Sequence, residues 1–189
     1  MEEYPSQAEI NGRLYDLNTD WKTAITCLDI IKDVKNEYTD VERALLVIGL
    51  LFKDWENMPE NDYGKAIEVV KKYLQCGKQN DKNSNEIDMD YIFDLEAIKS
   101  SFLADYRLDL NNNENMHWYD FYNKCNGLSE KCVLNRIRDI RTFDTSKLKD
   151  EKQKSKIKEM KEYFALPKAL TPEEREYQRK YNEIFGINE

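Results

Sequence analysis

Apolar side chains recur along this chain at intervals of three and four residues, stretch after stretch, and that period lays them on one face of a helix. Trp21, Ala24, Ile25, Leu28 and Ile31 form one such stripe, and Tyr63, Ile67, Val70 and Leu74 form another. Tyr91, Leu95, Ile98 and Phe102 follow the same rule, as do Trp118, Phe121, Tyr122 and Cys125, and then Val133, Leu134, Ile137 and Ile140. Turn-making residues are scarce, with six Gly and four Pro in 189 residues. The expected fold class is therefore mainly α, a helical bundle with a small N-terminal β-hairpin and a C-terminal appended helix. A chain of this length can bury a core without a disulfide or metal staple.

Local signals set the boundaries. Asn11-Gly12 supplies the two positive φ angles of a type I′ hairpin turn. Asn18, Thr19 or Asp20 can cap the helix that starts at Trp21. Thr39 and Glu42 form a capping box at the head of "ALLVIGLLF", a segment apolar on most sides and therefore expected at the centre. Gly77 falls where the C-terminal cap of the Tyr63 helix would lie, and Ser129 is a plausible cap for the helix that begins near Val133. Residues 77–86 lack any large apolar side chain, and 77–87 reads as a polar linker between an N-terminal part (1–76) and a C-terminal part (88–167). Ile157, Met160 and Phe164 form a narrow seam in a helix that Pro167 would end. Thr171, Pro172, Glu173 and Glu174 would start a last helix in 168–189, whose Tyr177, Tyr181, Ile184 and Phe185 dock on the body or on a partner. One domain can accommodate all four parts.

The nine-residue run 44–52 is about half of what a membrane-crossing helix needs. Cys27, Cys76, Cys125 and Cys132 are far apart, and the N-terminus shows no secretory signal, so free thiols in a cytosol are expected. Net charge is −8, but from Lys131 to Lys161 eleven Lys or Arg face five Asp or Glu, so this segment is +6 and the rest of the chain −14. Arg136, Arg138, Arg141, Lys147, Lys149, Lys152 and Lys156, with Tyr177, Tyr181 and Phe185, are the candidate partner-binding residues. A nucleic-acid-binding regulator using this segment is the alternative. Against it, Lys152, Lys154, Lys156 and Lys158 alternate at i+2 and spread around a helix, with no interleaved aromatics. An acidic protein partner fits better.

Chemistry has few footholds. His117, the single histidine, has no GxSxG elbow, reactive-cysteine context or zinc spacing around it and reads as a structural residue at the edge of the Trp118 stripe. Asp88, Asp90, Asp94 and Glu96 suit the first turns of a helix better than a magnesium site. There is no Gly-rich phosphate loop, Rossmann fingerprint or HExxH. The expectation is a non-enzyme with no cofactor, metal or small-molecule substrate.

Four blocks, "DYIFDLEAIKSSFLADYRLDL", "MHWYDFYNKCNGLSE", "RIRDIRTFD" and "KIKEMKEYFALP", resemble in this order a phage protein family encoded between the major tail protein and the tape measure protein. Phe102, Leu103, Tyr106, Asp109 and Leu110 fit its first pattern, and His117, Trp118 and Phe121 its second. Ile137 or Ile140 with Arg141 fits the third, and Tyr163, Ala165, Leu166 and Pro167 the fourth. The hairpin followed by "NTDW" is similar to the family's start, and the likeness spans roughly residues 8–168. Arg107 stands where the family usually has Gly, and Phe164 adds a residue to the closing motif. The resemblance implies a tail assembly chaperone. It would work in the host bacterial cytoplasm on the tape measure protein, the major tail tube protein or both, alongside a second tail chaperone, and stay out of the mature virion.

Overall fold

A computed structural model describes residues 4–35, 37–78, 88–112 and 115–168 of the chain. The last helix expected in 168–189, with Tyr177, Tyr181 and Phe185, lies outside the described residues from 169 onward, and so does the polar linker from 79 to 87. What precedes them is mainly α, with a small antiparallel hairpin, as the apolar periodicity requires. Strands β1 (Gln7–Ile10) and β2 (Arg13–Asp16) pair around Asn11 (φ 51°) and Gly12 (φ 80°). The Asn11 amide donates to Asp62 at 2.6 Å and the Tyr15 hydroxyl to the other Asp62 oxygen at 3.0 Å, which pins the hairpin to the start of α3.

Seven α-helices are present among the described residues: α1 (Trp21–Lys32), α2 (Asp40–Leu51), α3 (Tyr63–Leu74), α4 (Leu95–Tyr106), α5 (Trp118–Asn126), α6 (Val133–Thr142) and α7 (Glu151–Tyr163). Asp20 caps α1, accepting from the backbone N–H of Lys22 and Thr23. Thr39 and Glu42 make the reciprocal capping box of α2. Helix α2 packs on both α1 and α3, and α1 packs on α2 and α5. The apolar content of α2 is not buried all round, however: Val47, Ile48 and Leu51 are buried and Leu50 packs partly on the core, while Val41, Leu45 and Leu46 are exposed. A segment apolar on most sides is buried all round only where neighbours surround it.

Three other boundaries shift for identifiable reasons. Helix α3 ends in a Schellman arrangement: Gly77 N–H bonds the Lys72 carbonyl at 3.0 Å and Cys76 N–H bonds the Tyr73 carbonyl at 2.9 Å. The left-handed residue next to the cap is therefore Cys76 (φ 51°), one position before the glycine that announces it. Helix α6 is capped by Cys132, whose sulfur accepts the Asn135 N–H, while Ser129 is held by Asp105. Helix α7 ends at Tyr163, ahead of Pro167. At the end of α4, Arg107 takes the left-handed conformation (φ 57°, ψ 29°) in place of a glycine, with Leu108 N–H bonded to the Phe102 carbonyl. A non-glycine residue carries a steric cost there, and the closure of α4 and the packing around Phe102 hold it in place.

The core runs from Ile10 to Leu134 and gathers side chains from both sides of segment 79–87. Helix α7 contributes no buried residue, and its principal packing is against α6. No helix among the described residues is long and apolar enough to cross a membrane.

Candidate partner-binding surface

His117 is the N-cap of α5, one position before the helix and not on it. Its Nδ1 accepts the Tyr119 backbone N–H at 3.0 Å, and its Nε2 lies 3.2 Å from the Pro5 carbonyl, to which it donates. With a lone pair needed on one nitrogen and a hydrogen on the other, the neutral Nε2–H tautomer fits both bonds. Burial holds the ring below the ordinary imidazole pKa, against smaller opposing effects of the Pro5 carbonyl and Asp120. The setting explains why a neutral ring suits the place. Trp118 N–H bonds the Thr19 carbonyl at 2.7 Å and Trp21 N–H bonds the Met116 carbonyl at 3.0 Å, so α1 and α5 satisfy each other's first orphan amide. Two helix N-termini thus meet at His117, and an added positive charge there would oppose both dipoles.

Behind this cap lies an aromatic stack. Trp118 and Phe121 are fully buried, with Phe121 stacked on Trp21 at 4.7 Å and on Phe102 at 5.2 Å, and the Trp118 indole donates to the Leu74 carbonyl at 3.2 Å. Asp109 closes the turn after α4 by accepting from Asn111 and Asn112. Tyr163 departs from the other signature residues: it is 80% exposed and touches the Phe164 ring edge-on. It anchors no core because α7 turns its Ile157–Met160–Phe164 side to the body instead.

The acidic group and the basic segment, far apart along the chain, meet in the structure. Asp88 and Asp90 precede α4 in a turn, and the four carboxylates diverge to four cations: Asp88 to Arg138 at 2.9 Å, Asp90 to Lys32 at 2.5 Å, Asp94 to Arg141 at 2.7 Å and Glu96 to Lys99 at 2.7 Å. Burial works against the Asp90 charge, but the Lys32 ammonium and the N–H groups of Phe93 and Ile92 outweigh it and hold its carboxyl below the usual range. The Asp94–Arg141 pair is the most enclosed, with side chains 3% and 7% exposed. Arg141 grips both Asp94 oxygens with its fork at 2.7 Å and donates its Nε to the Phe164 carbonyl at 2.6 Å and Nη1 to the Asp88 carbonyl at 2.9 Å. One guanidinium therefore joins the start of α4, the turn before it and the end of α7. Arg141 is an internal fastener and Arg138 is half-committed to Asp88, so neither is available to a partner in the way the charge count implies.

What remains outward is a lysine arm. Arg136, Lys147, Lys149, Lys152 and Lys156 are exposed, and Lys149, Lys152 and Lys156 make no ion pair among the described residues. Beside the end of α7 an open groove begins. Pro167, Tyr38, Val34, Ile92 and Phe93 line its first section of about 470 Å³. Ile92, Asp90 and Lys32 join that to a second section of about 290 Å³ floored by Ile25, Leu28 and Met89. Ile25 and Ile92 in turn border a third, of about 330 Å³, that reaches Trp21, Leu95 and Leu110. The groove thus follows the outer side of α1 from one end to the other. Ile31, Ile92 and Phe93 on it are 44%, 44% and 50% exposed.

Sequence reasoning misses this groove. It assigns Ile31 to a core stripe and passes over Ile92 and Phe93 because they fall off the Tyr91–Leu95–Ile98–Phe102 period. Apolar residues off the stripe are the available signal. The four thiols are free, and burial pushes Cys27, Cys76 and Cys125 up to about 12, which leaves them without thiolate reactivity near neutral pH.

The sequence matches the model of one family, Bacteriophage Gp15 protein, over residues 1–166. No curated protein and no solved structure matches the chain. With most of its length covered, including the hairpin, the aromatic stack, the Arg141 fastener and the groove, the chain belongs to the bacteriophage Gp15 protein family.

Proposed function

We propose that this phage-family protein is a tail assembly chaperone that holds apolar helical surface of the tape measure protein, or of the tail tube subunit, in the host cytoplasm until the tail polymerises. The observation that carries the reading is the open groove along α1, on which Ile31, Ile92 and Phe93 are exposed. An amphipathic helix laid into an apolar groove is a recurring recognition mode. The exposed lysines of α7, the helix that leads to Pro167 at the groove, suit cargo with an acidic flank, steering encounter in a way that salt weakens. A second tail chaperone can share the cargo. Nucleic acid is the weaker reading because Arg141 and Arg138, the best phosphate forks of the segment, already hold Asp94 and Asp88.

The test is co-expression with the tape measure and tail tube proteins followed by pull-down at low and moderate salt. Retention of one of them, lost in an Ile92→Asp/Phe93→Asp variant that keeps its helical signal, is the expected outcome. Failure of the parent chain to retain either protein at low salt would remove the proposal.

A further inference from the structure

Segment Tyr4–Ser6 runs beside the first turns of α5 before β1 begins. One end of it is fixed by backbone, since Leu17 N–H donates to the Ser6 carbonyl at 2.9 Å. Tyr4 and Pro5 are held by side chains instead. The His117 Nε2–H donates to the Pro5 carbonyl at 3.2 Å, the Tyr4 ring lies 5.0 Å from the His117 ring and 5.7 Å from the Tyr119 ring, and the Asn123 amide donates to the Tyr4 hydroxyl at 3.3 Å. The same imidazole caps α5, accepting the Tyr119 N–H on Nδ1 at 3.0 Å. Its two tasks need a bare Nδ1 and a hydrogen on Nε2, and a protonated ring carries a hydrogen on both. Nδ1–H would then face Tyr119 N–H, donor against donor. A half-turn of the ring gives no relief, because it sets a carbon in place of each nitrogen. The charged ring has to swing out of this position, and the Pro5 bond and the Tyr4 contact go with it.

The charges around the ring offer no substitute. Asp120 of α5 favours the charged form but is held by Lys124 at 2.7 Å, and Asp20, bridged to His117 through the backbone, accepts from the N–H groups of Lys22 and Thr23 and from the Thr23 hydroxyl. Neither carboxylate is hydrogen-bonded to the ring among the described residues. Burial keeps the hydroxyls of Tyr73 on α3 and Tyr119 on α5 protonated. Pro5 is one wall of a cleft of about 270 Å³, with Val69, Lys72 and Tyr73 of α3 and Tyr119 as others, so lifting the segment opens this cleft and bares the Tyr119 ring.

We propose that Tyr4–Ser6 is a strap that neutral His117 locks and that comes free when the ring takes up a proton, a local opening ahead of any loss of the α1–α5 joint. Nuclear magnetic resonance on the full chain tests it. With one histidine in the sequence, the Cε1–H resonance reports the protonation of His117 directly. The Tyr4–Tyr119 ring contact, seen as a nuclear Overhauser effect at about pH 7.5, should fade with the midpoint of that resonance as the pH falls to about 5. Tyr119 amide exchange, corrected for its intrinsic pH dependence, should rise about fivefold or more as the cap is lost, while the Trp21–Phe121 contact persists. Absence of the Tyr4–Tyr119 contact at the higher pH, or its survival once the ring is charged, overturns the proposal. Loss of the Trp21–Phe121 contact in step with it does the same, because the release is then unfolding of the joint. His117→Asn keeps a capping oxygen and carries no titrating ring, so its strap contacts should not change over this window. A pH-dependent loss in that variant places the switch on another group and overturns the proposal, and if the variant does not fold, the titration of the parent chain decides alone.

Discussion

Two polar residues stand at the two main junctions of this molecule, and they hold them by opposite means. At the α1–α5 junction His117 is neutral and sits among the rings of Tyr4, Tyr73 and Tyr119, and its bonds complete a joint whose buried part is Trp21, Trp118 and Phe121. At the α4–α6–α7 junction Arg141 is charged and does the joining itself, since α7 brings no buried side chain. The first joint draws on apolar area removed from water. The second depends on geometry around one charge whose partner, Asp94, is equally enclosed. Truncation should therefore cost stability globally at the first and detach an element at the second.

Trp118→Ala is the largest expected loss, about 4 kcal/mol in denaturant titration, because a fully buried indole leaves a cavity among Tyr91, Phe121 and Tyr122 and orphans the Leu74 carbonyl. A loss well below 1 kcal/mol would mean the stack does not carry the joint. Arg141→Ala follows at about 3 kcal/mol, since it strands the Asp94 carboxylate in an enclosed site. Its distinguishing sign is local: amide exchange across 151–163 should approach that of an unprotected helix while α1 and α5 stay protected. Uniform loss of protection would break the contrast between the joints. An Arg141→Met/Asp94→Leu double variant should recover much of the stability, because removing both charges leaves none unpaired, yet α7 should stay loose for want of the bond to Phe164.

How much of this is legible in the sequence divides along the same line. The hairpin turn at Asn11-Gly12, the Thr39–Glu42 capping box and the Trp118–Phe121 stripe rest on interactions between residues a few positions apart, and each stands where its pattern puts it. The Arg141–Asp94 pair spans 47 positions, and no local period announces it. A count of charges cannot separate Arg141, which faces inward, from Arg136 five residues earlier, which faces water. The joint between α1 and α5 is hidden for a similar reason: the bridge between Asp20 and His117, where two helix N-termini meet, links residues 97 positions apart. The groove stays invisible because an apolar residue is assigned to the core until neighbours fail to cover it.

His117 offers a finer test of the first joint. The folded ring has a lowered pKa, so the unfolded chain takes up its proton first as pH falls. The contribution of the neutral cap is then fully present above the unfolded value of about 6.5 and declines as pH drops below it, levelling off once the folded ring protonates. With a single histidine in the chain, a stability slope between pH 6.5 and 5 that disappears in His117→Asn assigns it. Asn keeps a capping oxygen, so its cost at pH 8 should be under about 1 kcal/mol. A stability that rises on acidification through this window would show the ring to be charged in the fold, and the meeting of two positive helix ends could not then be what shapes the site.

The smallest expected effect on stability discriminates best between the two kinds of basic residue. Lys152→Ala/Lys156→Ala removes exposed charges that pair with no carboxylate among the described residues, and surface changes of this sort stay within about 0.5 kcal/mol. If the lysine arm steers acidic cargo, the same variant should slow association with the tape measure protein and flatten its salt dependence while the dissociation rate changes little. Arg141→Ala should do the reverse, leaving the salt slope intact and shortening the complex's lifetime by letting the arm swing from the groove. Equal effects of the two substitutions on association would mean that the fastener and the arm act as one surface, and that the distinction between an inward and an outward arginine or lysine, drawn from burial alone, does not govern binding.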